Sequence, residues 1–403
     1  MWPDRASDAD IKILMTSPLP PDEAPELPPE LLALRDSIDS IDHEILELLS
    51  RRREIVSGVA KVKRDNALKV RDRTREAAIL KDRQIQCDRL GLHPGMVESL
   101  YRLLLSASRD QQAALGTEVP EDLPLRKVAV IGGNGAMGSL FAGLFRDLGH
   151  EVLIADLDTS LRPVEAARMA DAVLISVPIR STLEVIAEIG PECREDGLLF
   201  DLTSTKVDPV RAMCESSRAN VIGTHPMFGP GVHTLQEQRI VLVPGRLHEG
   251  SSWDDWLRTC LTARGLSILN ASAEEHDRSM SIVQVLTHFS TEVVGLAMAR
   301  LGVSVEDTLQ FASPVYLIEL LMTARHFCQS GDLYGAIHMA NPNRGEIAAA
   351  LEDSLRSWRQ AVDETDQESF SRLFDECSAF FGSFSERAME QSSHLIDRLV
   401  ERG

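Results

Sequence analysis

Three groups of residues in this 403-residue chain have side chains or spacing suited to chemistry, and they lie far apart in sequence. The first is a glycine run. Gly132-Gly133-Asn134-Gly135-Ala136-Met137-Gly138 follows the apolar stretch Lys127 to Ile131 and opens a periodic apolar segment that ends at Gly149. A strand, a glycine turn and a helix in that order suit a dinucleotide: Gly133 for the tight turn, Gly135 for close approach to a pyrophosphate, Gly138 for helix–strand packing. Asn134, Ala136 and Met137 belong to the same cofactor-binding turn. Asp156 closes the next apolar run about 20 residues on, where an acid bonds ribose hydroxyls and, by repelling a 2′-phosphate, favours NAD over NADP. The same glycines could also serve a sharp turn and nothing more. The second group stands at the ends of later apolar runs: Ser176 with Pro178, Ser204-Thr205-Lys206, and His225 in Gly-Thr-His-Pro-Met-Phe-Gly-Pro. A histidine beside a nicotinamide can accept a hydroxyl proton as hydride leaves the same carbon. Ser204 and Lys206 carry less weight, because Ser and Thr after a strand often just cap the next helix. The third group is cationic, and Arg52 and Lys63 are its centre.

Those cations lie on a long helical pattern with apolar residues at Leu31, Leu34, Ile38, Ile41, Ile45, Leu48, Ile55, Val59 and Val62. One helix of that span is roughly 50 Å long at 1.5 Å per residue, longer than a small domain is wide, and predicts a partner chain. Arg52 breaks the stripe and Lys63 falls on nearly the same face, so both point inward. Arg35 is about a quarter turn away and serves a different pocket. A second helix runs from the region of Arg71 to Leu90 and is closed by Gly91. A third begins at Pro94 and carries Val97, Leu100, Leu104, Ala107 and Gln111 inward. Arg35, Arg52, Lys63, Arg75 and Gln111 are then inward polar candidates in a small all-helical domain. The competing reading is a coiled-coil dimerisation arm with solvated charges.

Composition shifts divide the chain into a proline- and acid-rich disordered tail (1–29), the helical domain (30–115), a linker (116–125), a doubly wound α/β domain (126–272) and a second all-helical domain (273–403) that completes the cleft. In the last domain Arg325 is the main cation of an otherwise apolar helix, and His276 and His288 lie before and within the first long helix. No histidine spacing matches a metal motif. A net charge of −20 argues against nucleic acid or an anionic membrane as partner. Six scattered cysteines without a CxxC pair predict neither disulfides nor zinc and suit reduced cytoplasm. No apolar run reads as a membrane span, and no signal-peptide pattern opens the sequence.

Leu31 to Leu115 resembles the all-helical chorismate mutases. The matching residues are Arg35, Arg52, Lys63, Asp72, Arg75, Glu76 and Gln111. The resemblance implies an intertwined dimer in which Arg35 crosses from the other chain, the arginines hold the two carboxylates of chorismate, and Lys63 and Gln111 bond its ether oxygen. Ala107 stands where relatives often carry serine, with Ser106 and Ser108 beside it. Arg126 to about Arg387 resembles prephenate dehydrogenase through the motifs around Ser176, Lys206, His225 and His276 and through Ser-Pro-Val-Tyr followed by Thr-Ala-Arg-His-Phe. By resemblance His225 bonds the ring hydroxyl of prephenate, Arg325 binds a substrate carboxylate and His288 lies where L-tyrosine is sensed as a feedback inhibitor. The expectation is therefore a cytoplasmic, homodimeric enzyme with two activities, which converts chorismate to prephenate and oxidises prephenate with NAD. An NAD-dependent dehydrogenase of another hydroxy acid, with an inert helical arm, and a nucleotide-sensing interaction protein are the alternatives.

Overall fold

The computed structural model describes residues 28–400 apart from 67, 69, 116–119, 121, 233 and 303. The tail expected over 1–29 lies outside the described residues up to 27, as does half of the expected linker. The chain forms two units, divided at Leu115.

The first unit consists of α1 (Pro29–Asp65), α2 (Arg73–Leu90) and α3 (Pro94–Leu115), with α1 and α2 both packed on α3. Local chemistry sets the ends of α2. The Asp72 carboxylate accepts the Arg75 N–H at 2.9 Å as N-cap, and Gly91 takes the left-handed φ of 64° that ends the helix. Proline opens both α1 and α3, where its missing N–H leaves no helical bond unmade. Val97 is buried in α3 as expected, but further along the helix the buried residues are Leu105, Ser108 and Gln112, one position on from the expected Leu104, Ala107 and Gln111, and Leu100 and Ala107 are exposed. Most of the α1 stripe is also exposed within the chain, Leu34, Ile38, Ile41 and Ile55 each by more than half.

The second unit is built on a seven-stranded sheet in the order β2-β1-β3-β4-β5-β6-β7. Its strands are β1 (Lys127–Ile131), β2 (Glu151–Ala155), β3 (Ala172–Ile175), β4 (Leu198–Asp201), β5 (Asn220–Pro226), β6 (Arg239–Arg246) and β7 (Ser267–Asn270). The first five strands are parallel, and β3, β4 and β5 are buried along their whole length, as helices on both faces require. Helices α4 (Ala136–Asp147) and α8 (Trp253–Ala263) pack Phe141, Phe145 and Trp256 on one face. On the other, α5 (Pro163–Met169), α6 (Ile179–Ile189) and α7 (Val207–Ser216) bring Ala166, Ile186 and Met213. The doubly wound expectation is modified at one edge. The connection from β5 to β6 carries no helix among its described residues, so β6 turns back antiparallel to β5, and β7 follows β6. The end of the expected linker also belongs to this unit: Leu123 is buried in the core, and the Pro124 carbonyl accepts Trp256 Nε1–H at 3.1 Å.

Beyond β7 the chain is helical. Helix α9 (Ala273–Met280) continues through the π-helical turn Ser281–Leu286 into α10 (Thr287–Leu301), followed by α11 (Val305–Leu309), α12 (Pro314–Phe327), α13 (Gly331–Ala340), α14 (Arg344–Asp363), α15 (Gln367–Phe381) and α16 (Phe384–Val400). Helix α13 escapes sequence patterning, and α15 and α16 are divided at Gly382, whose φ is +48°. One helix among the described residues, Ala273–Leu301, has the length and hydropathy (1.4) of a membrane span, contrary to expectation. Its polar residues His276, Asp277, Gln284, His288 and Glu292 bond or pack inside the unit, while Ile282, Val283, Val294 and Leu296 are exposed.

Candidate active site

Because β1, β3, β4 and β5 are parallel, their carboxyl ends bring Gly132, Ser176, Ser204 and His225 to one edge of the sheet. The glycine turn is tighter than the sequence suggests, and the left-handed residue is Gly132, at φ +80°, not Gly133. Gly133 is needed for space instead, since a Cβ there would stand 2.7 Å from the Ile154 side chain. At Gly138 a Cβ would meet Gly133 Cα at 2.9 Å, which confirms close helix–turn packing. Gly135 is the N-cap of α4, with an ordinary φ of −65° and no side chain to cover the first amides. Asp156 follows β2 and accepts Asn134 N–H at 3.0 Å and Leu157 N–H at 2.8 Å, while Asn134 Nδ2–H donates to Asp158 at 2.7 Å. Ser176 N–H donates to the Ile131 carbonyl at 2.8 Å, and Pro178 is the N-cap of α6. Met137 and Ala136 lie in the first turn of α4.

After β4 the chain is held by a fully buried ion pair. Lys206 Nζ–H donates to Asp201 at 2.5 Å and to the Thr224 carbonyl at 2.8 Å, and both charged side chains have no exposure. Burial pulls the Lys206 ammonium below its usual range while Asp201 opposes. Asp201 also accepts the Thr203 N–H at 3.0 Å, which folds the turn that presents half-buried Ser204. Lys206 is thus a structural cation of the turn.

His225 is 3% exposed at the end of β5. Its Nδ1 lies 2.8 Å from His276 Nε2, and His276 Nδ1 lies 2.8 Å from Asp277 Oδ1. Asp277 also caps α7, accepting Lys206 N–H at 2.8 Å and Val207 N–H at 3.0 Å. Gln284, in the π-helical turn, approaches His225 Nε2 at 3.4 Å. Burial first, then His276 and Lys206, hold His225 well below the usual histidine range, so its ring stays neutral at ordinary pH.

One turn further along, His288 is half-buried and packs edge-on against Tyr334 at 4.8 Å. Burial, then His326 and His338, lower it to about 4, against the pull of Glu292. Glu292 Oε1 lies 3.2 Å from both His326 Nε2 and His338 Nε2. Arg325 is exposed, and the buried residue of that turn of α12 is His326. The Arg325 charge still reaches Tyr334, whose hydroxyl it pulls down against the larger upward effect of burial.

In the first unit Arg52 is half-buried and donates to Ser108 Oγ at 2.5 Å and to the Leu104 carbonyl at 3.3 Å. Lys63 Nζ–H donates to the Val70 carbonyl at 2.6 Å. Gln111 turns toward α1 and donates to Ser57 Oγ at 2.7 Å and to the Arg53 carbonyl at 2.9 Å. Glu76 pairs with Arg109 at 2.7 Å and Arg71 at 3.2 Å. Arg35, Asp72 and Arg75 are exposed, so the chain by itself brings Arg52 and Gln111 to the α1–α3 crevice and leaves Arg35 and Arg75 outside it. Ala107 is exposed, and the neighbouring hydroxyl that meets Arg52 is that of Ser108.

Residues that sequence reasoning passed over include Asp277, Gln284, Glu292, His326 and His338. Two left a signal, since Asp277 directly follows His276 and Glu292 lies one turn after His288. Glutamine in an apolar helix gave none.

Comparison with known proteins identifies the family. Residues 34–113 match the family model of chorismate mutase type II. Residues 149–265 match the nucleotide-binding domain of prephenate dehydrogenase, and 272–376 its dimerization domain. The chain is 34% identical over 371 residues to the T-protein of Enterobacter agglomerans, covering 91% of this chain and 97% of that one. It is 32% identical over 368 residues to the T-protein of Haemophilus influenzae, covering 91% and 96%. Among solved structures, the prephenate dehydrogenase of A. aeolicus in complex with hydroxyphenyl propionate and NAD+ has the same fold, with a TM-score of 0.52 at 17% identity over 64% of this chain and 98% of that one. Identity of that order along nearly the whole chain, with both sets of family matches, means that this chain belongs to the T-proteins, the bifunctional chorismate mutase/prephenate dehydrogenases of tyrosine biosynthesis, and uses NAD.

Proposed function

We propose that prephenate is oxidised at the carboxyl edge of the sheet, with His225 as the group that takes its ring-hydroxyl proton. The observation that carries this reading is a neutral, buried imidazole at the end of β5, held by its neighbours on one nitrogen. The cofactor site is the turn from Gly133 to Gly138, with Asp156 for the ribose and Ser176 and Pro178 beside it. Gly135 supports it: a Cβ there would have only the Gly132 carbonyl oxygen nearby, at 3.2 Å, so packing alone demands glycine least at the place where a pyrophosphate needs room. NAD supplies the hydride acceptor. His225 holds the hydroxyl proton while the substrate loses carbon dioxide, and returns it to the phenol oxygen as the ring becomes aromatic, so no net proton is consumed. Ser204 and Arg325 are assigned to substrate. His288, whose Nδ1 is buried without a partner, is assigned to substrate or L-tyrosine, the feedback inhibitor.

In the first unit we assign Lys63 and Gln111 to the ether oxygen of chorismate, where charge develops as the C–O bond breaks, Arg52 and Arg35 to its carboxylates, and Asp72, Arg75 and Glu76 to binding it. The exposed stripe of α1 and the exposed face of Ala273–Leu301 support a homodimer, and six free thiols support a cytoplasmic setting. A spectrophotometric assay tests the whole reading. Chorismate alone should be consumed without NADH, and chorismate with NAD should yield NADH after a lag. Failure of directly supplied prephenate to yield NADH would reject the dehydrogenase assignment, and unchanged chorismate would reject the mutase assignment.

A further inference from the structure

We infer that His276 and Asp277 are positioning residues that fix which nitrogen of His225 carries the proton, an inference that rests on His225 being the proton acceptor. The reasoning starts at the N-terminus of α7. Backbone N–H groups can only donate, so the Lys206 and Val207 amides make acceptors of both Asp277 oxygens, and the helix end favours a carboxylate anion there. Oδ1 is also 2.8 Å from His276 Nδ1, which must therefore carry a hydrogen. In a neutral imidazole the other nitrogen is an acceptor. His276 Nε2 then receives Nδ1–H of His225 across 2.8 Å, and His225 Nε2 is left with its lone pair. That nitrogen is the one approached by Gln284. The opposite tautomer would place a hydrogen on Nε2, where no proton could then be accepted.

Burial makes the arrangement rigid. His276 is 2% and Asp277 1% exposed, and Asn341 Nδ2–H donates to the Asp277 carbonyl at 3.0 Å, which ties the backbone of α9 to the turn between α13 and α14. Two adjacent residues of one helix thus reach in two directions, Asp277 to the amides of α7 and His276 to β5.

The test uses the full-length chain and follows kcat and KM for prephenate. His276→Gln places an amide oxygen near the lost Nε2 and can still accept from His225, whereas His276→Met matches its length without a strong acceptor. His276→Asn keeps a donor near Asp277 but does not reach His225. Met and Asn variants should lose about 10²-fold in kcat with KM within about threefold, and Gln should stay within roughly tenfold of native. NAD titration confirms that each variant is folded, and either Met or Asn suffices if the other is not. Equal losses in Gln, Met and Asn, or native kcat in Met and Asn, would overturn the inference. His225→Asn separates the two levels. If it loses kcat while Met and Asn do not, only the positioning role falls; if it keeps native kcat, the acceptor reading falls and this inference with it.

Discussion

Arg52 in the helical unit and His225 at the end of β5 both point inward, yet their surroundings differ in kind. His225, His276 and Asp277 are almost fully buried and bond to one another within a single chain. Arg52 is half-buried, Arg35 and Arg75 are exposed, and Gln111 bonds the backbone and hydroxyl of its own neighbours. A parallel sheet lined by helices brings residues from four strand ends to one edge, and at its buried His225 fixed dipoles act strongly on developing charge. In the first unit, whose longest helix has 37 residues, Arg52 and Gln111 bond to their own chain and Arg35 and Arg75 stay exposed. The proposed dehydrogenase centre is therefore assembled within one chain, and the proposed mutase centre calls for a second surface.

The sharpest way to break the comparison is at Lys206, because it forms the most deeply buried part of the dehydrogenase edge. Lys206→Met would leave Asp201 charged and unpaired in a dry site, which costs about 3 to 5 kcal/mol when one partner of a buried pair is removed. Denaturant unfolding should show that loss, and Asp201→Asn with Lys206→Met should recover part of it. A single variant as stable as native would mean that the edge is not held by this pair.

Next in size is the mutase side. Arg52→Ala should lower mutase kcat by about 10²- to 10³-fold, the scale for removing one charge-stabilising donor, while dehydrogenase activity stays near native. Mixing Arg35→Ala with Arg52→Ala protomers should restore about half of native mutase activity per heterodimer, since one of two shared sites regains both arginines. Verified heterodimers that remain inactive would show that both arginines act from one chain, and the contrast with the dehydrogenase would disappear.

Much of this difference was legible in the sequence, and the failures have physical causes. Strand, glycine turn and helix were readable because backbone sterics at Gly132 to Gly138 tolerate few alternatives. Which glycine takes positive φ was not, since adjacent glycines are equally permissive. The stripe of α1 was plain, whereas the buried face of α3 was read one position out, because leucines at Leu103, Leu104 and Leu105 satisfy more than one helical phase. His225 was found through its motif. His276 was also named, but its pairing with His225 was not read, and Asp277 and Gln284 acquire their roles only through the packing of α9 and the π-helical turn. Arg325 was read as the main cation of an apolar helix, and the burial of His326 beside it was not read at all.

Arg325 gives a smaller effect that sharpens the contrast. Exposed within the chain, it resembles the mutase arginines more than the buried histidines. Arg325→Ala should raise KM for prephenate by an amount equivalent to about 1.5 to 3 kcal/mol, the range for a hydrogen bond to a charged group, with kcat changed less. A normal KM would remove it from the substrate site.

The smallest effect concerns the histidines around Glu292. Burial, His326 and His338 lower His288 to about 4, and Glu292 opposes them. In the unfolded chain the same ring titrates near its ordinary value of 6.5. Above 6.5 both states are neutral at this residue and it adds no pH dependence. Between 6.5 and about 4 the unfolded state takes up the proton and the folded state does not, so stability falls as pH falls through that window. His225, also lowered by burial, acts in the same direction, so removing His288 should reduce the slope without abolishing it. Melting temperatures of native and His288→Asn chains should therefore converge on the acid side of 6.5, if the two are compared at each pH. Because His288 is only half-buried, solvent screening keeps the change modest. Parallel curves would show that its ring is solvated like the exposed side chains of the first unit, and the boundary between the dry and wet centres would then run between His225 and His288.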